Sequence, residues 1–138
     1  MGKLTRFGVS LDKKLLKQFD ALIRREGYTN RSEALRDLIR AELVRGEWKE
    51  EEEVVGVIMV VYDHHQSALQ EKVTDFQHRH IAEIITSLHV HLDHHNCLEV
   101  VIARGKAGTV RRLADGLKSI RGIKHCSLSM STSGKALV

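Results

Sequence analysis

The sequence contains few aromatic residues, two cysteines and no long apolar run. Aromatic residues make up 4% of the 138 residues, so a core drawn from the 42% that are hydrophobic must consist mostly of Leu, Ile and Val. No stretch approaches the roughly 18 apolar residues of a membrane helix, and the opening MGKLTRFGVS has no apolar secretory segment. Two cysteines argue against the disulfide framework of small secreted domains. We therefore expect a cytoplasmic protein with no membrane partner.

Positive charge is concentrated in the first third of the chain, although the net charge is only +4. Residues 1–46 contain 11 Lys or Arg against 6 Asp or Glu, whereas residues 47–138 contain 11 against 12. This asymmetry favours a polyanionic partner at the amino-terminal end, with an ordinary solvated surface as the alternative. The acidic stretch at 47–53 predicts a linker between two domains, 1–46 and 54–138.

The sequence of the first domain predicts one strand followed by two helices. The first helix ends, and the second begins, within GYTNRSE. In LTRFGVSL, apolar residues alternate with Arg6, Gly8 and Ser10. A lone strand and so small a core are not independently stable, so we expect two copies to form an antiparallel ribbon and share one core. The ribbon would present those three residues to the major groove of DNA, where Arg reads guanine. A dimerisation module without a DNA role is the alternative.

Residues 4–44 resemble the ribbon-helix-helix family of DNA-binding proteins. The strand RFGVSL, the opening DKKLL and the turn GYTNRSEALRDLI carry the resemblance. It implies that Arg6, Gly8 and Ser10 make the base contacts. Gly8 departs from the family pattern, in which a polar side chain is usual, because glycine has no side chain to reach a base edge.

The sequence of the second domain predicts strands and helices in the order β-α-β-β-α-β. This order is the ferredoxin-like plan and resembles the small regulatory modules of the ACT type. The whole chain is therefore expected to be α+β, although this plan does not by itself define a function. The predicted elements are VVGVIMVVYD, HQSALQEKVTDFQHRHIAEI, ITSLHVHL, CLEVVIARG, TVRRLADGLKSIRG and IKHCSLSM.

The stretch LHVHLDHHNC holds four histidines and a cysteine in ten residues. His89 and His91 are two apart on a predicted strand, so their rings leave the same face, and Cys97 begins the partner strand. Imidazole and thiolate donors suit zinc, nickel or copper. A further donor is needed, and His78 or His80 could supply it from a neighbouring subunit. Of the remaining histidines, His64 and His65 are expected at a helix start or in a loop, and His94 and His95 in a loop. His125 is expected in the core or at an edge of the last strand.

The joint pattern, a ribbon-helix-helix unit before an ACT-like unit with LHVHLDHHNCLE, is similar to the nickel-responsive regulators of the NikR family over residues 4–130. The resemblance implies a homotetramer, a dimer of dimers with ribbon dimers at its two ends. It also implies Ni²⁺ in a square plane at a subunit interface. The implied ligands are His89, His91 and Cys97 of one chain and His78 of its neighbour. Glu99 is placed to hold a ligand imidazole in the right tautomer.

The resemblance further implies a second ion site between the domains at Glu33 and Asp37. These residues are four apart and share one helix face; an ordinary surface pair near arginines is the alternative.

The sequence thus leads to the hypothesis of a nickel-dependent transcriptional repressor of nickel uptake genes, and not of an enzyme. Metal at a shared site would favour one placement of two ribbon dimers, and hence binding to a palindromic DNA operator. A nickel storage or delivery protein is an alternative, but it leaves the basic ribbon without a role. A metal-dependent hydrolase would need an open coordination position and a general base, and the sequence offers no base beside the site.

Overall fold

A computed structural model describes residues 2–66 and 68–138. The chain divides into two compact units, Met1–Leu43 with Ala136–Val138, and Val44–Lys135. None of the helices among the described residues combines the length and the apolar character needed to cross a membrane.

The amino-terminal unit contains the two predicted helices. Helix α1 spans Lys13–Glu26, and the side chain of Asp12 accepts a hydrogen bond from the Lys14 N–H at its start (2.8 Å). It ends at Gly27, whose φ of 77° closes the helix in the left-handed conformation that favours glycine. Helix α2 spans Arg31–Lys49, and its last turns belong to the second unit.

The predicted amino-terminal strand is unpaired among the residues that the structure describes. Residues 2–12 form neither a helix nor a hydrogen-bonded strand. Apolar side chains of this segment are exposed, with Phe7 73% accessible to solvent. A strand needs a second strand for its N–H and C=O groups, and none of the described residues of this chain supplies one.

The second unit has the predicted β-α-β-β-α-β order. Its four strands form one sheet in the order β2-β3-β1-β4, and every neighbouring pair is antiparallel. The elements are β1 (Glu53–Asp63), α3 (Leu69–Arg79), β2 (Ile84–His91), β3 (Asn96–Lys106), α4 (Ala107–Lys118) and β4 (Ile123–Met130).

The core of this unit lies between one face of the sheet and the two helices. Alternate residues of β1 are buried, and they pack against the apolar faces of α3 and α4. Trp48, near the end of α2, is also buried in this core, and its Nε1–H donates to the Ser131 carbonyl (2.8 Å).

Among the sequence-based boundaries that differ from the structure are those of the acidic segment and of the end of α3. The acidic segment 47–53 is not a free linker throughout, because residues 47–49 complete α2 and Glu53 begins β1. Helix α3 ends at Arg79, although the pattern predicted helix as far as Ile84. Ile84 instead begins β2 opposite Ala103.

Gly56 on β1 lies where a side chain has no room. A Cβ added there would be 2.5 Å from Val110 Cγ1, 3.0 Å from Leu128 Cδ1 and 3.2 Å from a Trp48 ring carbon. We expect Gly56→Ala to lower the free energy of unfolding by about 1–3 kcal/mol through overpacking. Gly105→Ala is the control, since its Cβ would lie 3.9 Å from Glu83 Cγ, an ordinary van der Waals distance. Equal denaturant midpoints for the two variants would contradict this prediction.

Candidate metal centre

The β2–β3 hairpin brings together the residues of the predicted metal site. In the strand register, His91 lies opposite Cys97 and His89 lies opposite Glu99. The loop of the hairpin is held by Asp93, whose Oδ1 accepts hydrogen bonds from the N–H groups of Asn96 (2.7 Å) and His95 (2.9 Å). These bonds lower the pKa of Asp93 to about 2. The loop between His91 and Cys97 is therefore fixed by its own side chain.

Glu99 is the buried acceptor at the centre of this region. Its Oε1 lies 3.0 Å from His89 Nδ1 and accepts a hydrogen bond from the Tyr62 hydroxyl (3.1 Å), while its Oε2 accepts one from Gln77 Nε2. An ionised carboxylate only accepts hydrogen bonds, so a neutral His89 ring that bonds to one carries its proton on Nδ1. This tautomer leaves His89 Nε2 with a free lone pair, as a metal ligand requires.

Tyr62 completes the surroundings of Glu99 from β1. Its side chain is fully buried, and burial together with the charge of Glu99 raises the pKa of its hydroxyl far above the usual range. The phenol therefore stays protonated and donates to the carboxylate. Tyr62 and Gln77 were not predicted from the sequence. The position of Tyr62 in the apolar predicted strand VVGVIMVVYD was the available indication for its burial, and no sequence pattern marked Gln77.

Cys97 is a fully buried thiol on β3, opposite Tyr62 in the register with β1. Its Sγ donates to the Tyr62 carbonyl (3.5 Å). Burial raises the pKa of Cys97, because a thiolate without a compensating cation is unfavourable in apolar surroundings. A bound divalent cation would supply that compensation.

The predicted donors are near one another but do not converge within one chain. The ring centroids of His89 and His91 are 5.0 Å apart. Among residues 2–66 and 68–138, no three His, Cys, Asp or Glu side chains are arranged to hold a metal ion. His78 is exposed in the last turn of α3 and lies on the rim of a groove that His89 and Glu99 also line.

Two histidines after β1 are tied to the hairpin loop. The Nε2 atoms of His64 and His65 lie 3.0 and 2.7 Å from the His94 carbonyl, and the His64 ring centroid is 5.4 Å from that of His91. They therefore form part of the wall beside the site, where the sequence predicted only loop positions. The His80 ring packs 4.5 Å from that of Phe76 between centroids.

Glu33 and Asp37 lie on one face of α2, as their spacing predicts. Glu33 Oε2 accepts a hydrogen bond from the Thr29 hydroxyl (2.8 Å). Asp37 accepts one from the Tyr28 hydroxyl (2.8 Å) and pairs with Arg40 (3.2 Å). Their carboxylates thus already have partners within the chain, and an ion site at this pair stays a prediction.

The predicted DNA-facing residues lie in the exposed segment before α1. Arg6, Gly8 and Ser10 are all exposed. A Cβ at Gly8 would meet no atom within 4 Å, so this position is open on every side among the described residues. An apolar groove runs beside the segment and is lined by Phe7, Val9, Leu11, Leu15, Leu16, Phe19, Leu35 and Leu38.

An ion pair joins α1 to the start of α2. Arg31 Nε and Nη2 donate to the two carboxylate oxygens of Asp20 (2.9 and 3.0 Å), and this holds the pKa of Asp20 below its usual value. A lowered carboxyl pKa adds stability above the unfolded pKa of about 4, and this stability is lost as the pH falls through the folded pKa. We expect Asp20→Asn to lower the melting temperature by roughly 1–4 °C at pH 7.

In thermal melts from pH 7 downward, the difference in melting temperature between wild type and Asp20→Asn should become smaller below about pH 4. Glu26→Gln is the control, because its partner Arg25 is 4.0 Å away. A difference that does not depend on pH would show that the ion pair is not its cause.

Comparison with known proteins gives two family matches. Residues 55–131 match the family described as NikR C terminal nickel binding domain, and residues 5–46 match the family described as ribbon-helix-helix protein, copG family. The two matches together span both structural units.

Relatives match along nearly the whole chain. A protein from Geobacter sulfurreducens is 54% identical over 138 residues, which is 99% of each chain. Proteins from Thermococcus onnurineus (50%; 99% of each chain) and Pyrococcus furiosus (49%; 98% of this chain and 99% of the relative) are similar. Each bears a name that contains the words nickel-responsive regulator.

A solved structure of an uncharacterized Thermotoga maritima protein superposes with a TM-score of 0.51 at 13% identity. The match covers 56% of this chain and 96% of that one. At this identity the likeness concerns the fold alone.

Proposed function

This chain belongs to the NikR family of nickel-responsive regulators, and we propose that it is a nickel-dependent transcriptional repressor of nickel uptake genes. The observation that carries the proposal is the pairing of His89 with the buried carboxylate of Glu99, beside the buried thiol of Cys97. That pairing orients the His89 imidazole as a metal donor, and the Cys97 sulfur is a second donor. The other unit of the chain is of the DNA-binding ribbon-helix-helix type.

The proposed nickel ligands are His89, His91 and Cys97 of one subunit and His78 of a neighbouring subunit. Imidazole and thiolate donors fit Ni²⁺, which would act as a regulatory ligand and supply the charge that stabilises the Cys97 thiolate. One feature of the chain supports a shared site: His78 is exposed and lines the same groove as His89.

The proposed assembly is a homotetramer, a dimer of dimers. Exposed apolar side chains beside the His78 groove support contacts between the nickel-binding units, with Ile81 75% and Ile85 58% accessible. The exposed apolar residues of the amino-terminal segment support its pairing with a second copy as a two-stranded ribbon. Both surfaces would be covered in such an assembly.

The proposed switch follows from sharing the site between subunits. A ligand changes an equilibrium only by its differential affinity for the two states. A site that needs donors from two chains is complete in only some arrangements, so nickel would favour those arrangements. We propose that they place Arg6, Gly8 and Ser10 of two ribbons in the major grooves of a palindromic operator. Gly8 would contribute no side-chain hydrogen bond to base readout.

The repressor role can be tested in cells. A DNA duplex is first recovered from a random-sequence library with wild-type protein and nickel; we call it the selected duplex. It is placed in a reporter promoter in a bacterial host without its own nickel regulator. We expect repression only when both nickel and wild-type protein are present, and none with Cys97→Ala. Repression without nickel, or activation by nickel, would contradict the proposal. Nickel binding with no recoverable duplex would instead support storage or delivery.

A further inference from the structure

Helix α2 ends in a turn that usually requires glycine. The Glu52 N–H donates to the Glu47 carbonyl (3.0 Å), and Glu51, the residue just before Glu52, has a φ of 57°. This is the left-handed closure of a Schellman motif, where glycine predominates because a side chain is disfavoured. We therefore expect contacts of the Glu51 side chain to offset the cost of this backbone conformation.

The Glu51 side chain caps a different helix. Its Oε2 accepts a hydrogen bond from the Gly108 N–H (2.7 Å) at the start of α4, where Lys106 provides no side-chain cap. The adjoining Ala107 N–H donates to the Glu52 carbonyl (3.0 Å). A carboxylate at a helix amino terminus satisfies free N–H groups and complements the helix dipole. The turn after α2 is thus fastened to the first turn of α4.

Arg111, one turn into α4, makes a second connection. Its Nη1 lies 3.3 Å from Glu51 Oε1, its Nη2 donates to the Trp48 carbonyl (3.0 Å), and its guanidinium carbon is 5.6 Å from the Trp48 ring centroid. Trp48 is itself buried and bonded to Ser131. We call Glu51, Arg111 and Trp48 the clamp; it holds the last turn of α2 to α4 within the second unit.

The clamp lies at the end of β3, the strand that carries the proposed metal donor Cys97. Strand β3 bears Cys97 near its start and Glu99 two residues later, and it passes into α4 without an intervening loop, since Lys106 ends the strand and Ala107 begins the helix. A strand and a helix are comparatively rigid elements, so a shift of β3 would move the first turn of α4 and the clamp with it.

We propose that Glu51 and Arg111 are positioning residues that transmit the metal state of β3 to the end of helix α2. The inference rests on the proposed function, since it concerns how nickel at Cys97 alters DNA binding by the amino-terminal unit. The clamp acts as the fixed attachment of α2. Without it, nickel still binds and the ribbon still contacts DNA, but the two events lose their coupling.

The test uses the full chain and three measurements on each variant. These are nickel binding by absorption titration, affinity for the selected duplex by fluorescence anisotropy with and without nickel at fixed salt, and the melting temperature. Glu51→Gly removes the clamp while giving the turn the residue that its φ favours. Glu51→Gln keeps an acceptor for the Gly108 N–H but loses the ion pair with Arg111. The matched control is Glu50→Gln, which removes the same charge one residue earlier at an exposed position.

In Glu51→Gly we expect the nickel-induced gain in DNA affinity to fall by at least about fivefold, with nickel affinity and metal-free DNA affinity within about twofold of wild type. Glu51→Gln should lie between Glu51→Gly and wild type, and Glu50→Gln should equal wild type. An undiminished gain in both Glu51 variants would overturn the clamp while leaving the proposed function intact. Lack of any nickel-induced gain in the wild type would instead overturn the proposed function, and the clamp with it.

Discussion

Replacing Cys97 with alanine is expected to weaken nickel binding by at least about 100-fold and to abolish a thiolate-to-nickel charge-transfer band. Loss of residues that merely orient a ligand typically costs 10–100-fold in metal affinity, and loss of a ligand costs more. Cys97 is also the one anionic donor in the proposed set, so its removal takes away the charge that offsets the metal. The measurement is an ultraviolet-visible nickel titration of wild type and variant.

Cys126→Ala is the matched control for Cys97→Ala. Cys126 is the other cysteine; it is half-buried on β4, and its Sγ lies 3.6 Å from the Ala114 carbonyl. We expect this variant to keep the band and a stoichiometry near one nickel per chain. A band that survives in Cys97→Ala, or disappears in Cys126→Ala, would show that the hairpin is not the nickel site.

Replacing Arg6 with alanine is expected to weaken nickel-dependent binding to the selected duplex by at least about 100-fold. A specific Arg–guanine contact contributes roughly 1–3 kcal/mol, and the two ribbon dimers of the proposed tetramer would together lose four copies. Arg6 is exposed in the segment before α1. Anisotropy titrations with the selected duplex and with a scrambled duplex separate base readout from general attraction to phosphates.

Arg25→Ala is the control for charge. It removes one positive charge from an exposed arginine of the same unit, whose partner Glu26 is 4.0 Å away. We expect a loss of less than about fivefold that is similar for both duplexes, as for a change in general electrostatics. Equal losses for Arg6→Ala and Arg25→Ala would mean that Arg6 does not read bases.

Local patterns predicted most of the elements in both units. The end of α1 at Gly27 and the start of α2 within GYTNRSE depend on neighbouring residues, and the structure has both helices bounded there as expected. Errors arose where tertiary contacts override local patterns. The apolar residues after Arg79 continue a helical period, but Ile84 pairs with Ala103 as the first residue of β2.

Charge was misleading around residue 48. Five glutamates near Trp48 suggested a solvated linker, yet the indole is buried and Arg111 bonds the Trp48 carbonyl. The Trp48 Nε1–H bonds to Ser131 and the Trp48 carbonyl to Arg111, 83 and 63 residues further along the chain, and no local pattern can predict such partners.

The hairpin donors were predictable because strand periodicity puts His89 and His91 on one face and a short loop returns the chain to Cys97. The hydrogen bonds from Tyr62 and Gln77 to Glu99 were not, since they join three separate elements. The pairing of the amino-terminal strand does not appear in the structure of one chain, because its expected partner is the same strand of a second copy.

The central claim is that nickel at the β2–β3 hairpin strengthens DNA binding by the amino-terminal unit. It is tested most directly by the affinity of wild-type protein for the selected duplex, measured by fluorescence anisotropy at one fixed salt concentration, without metal and with one nickel per chain. The account predicts at least about tenfold tighter binding with nickel. Equal affinity in the two titrations would contradict it.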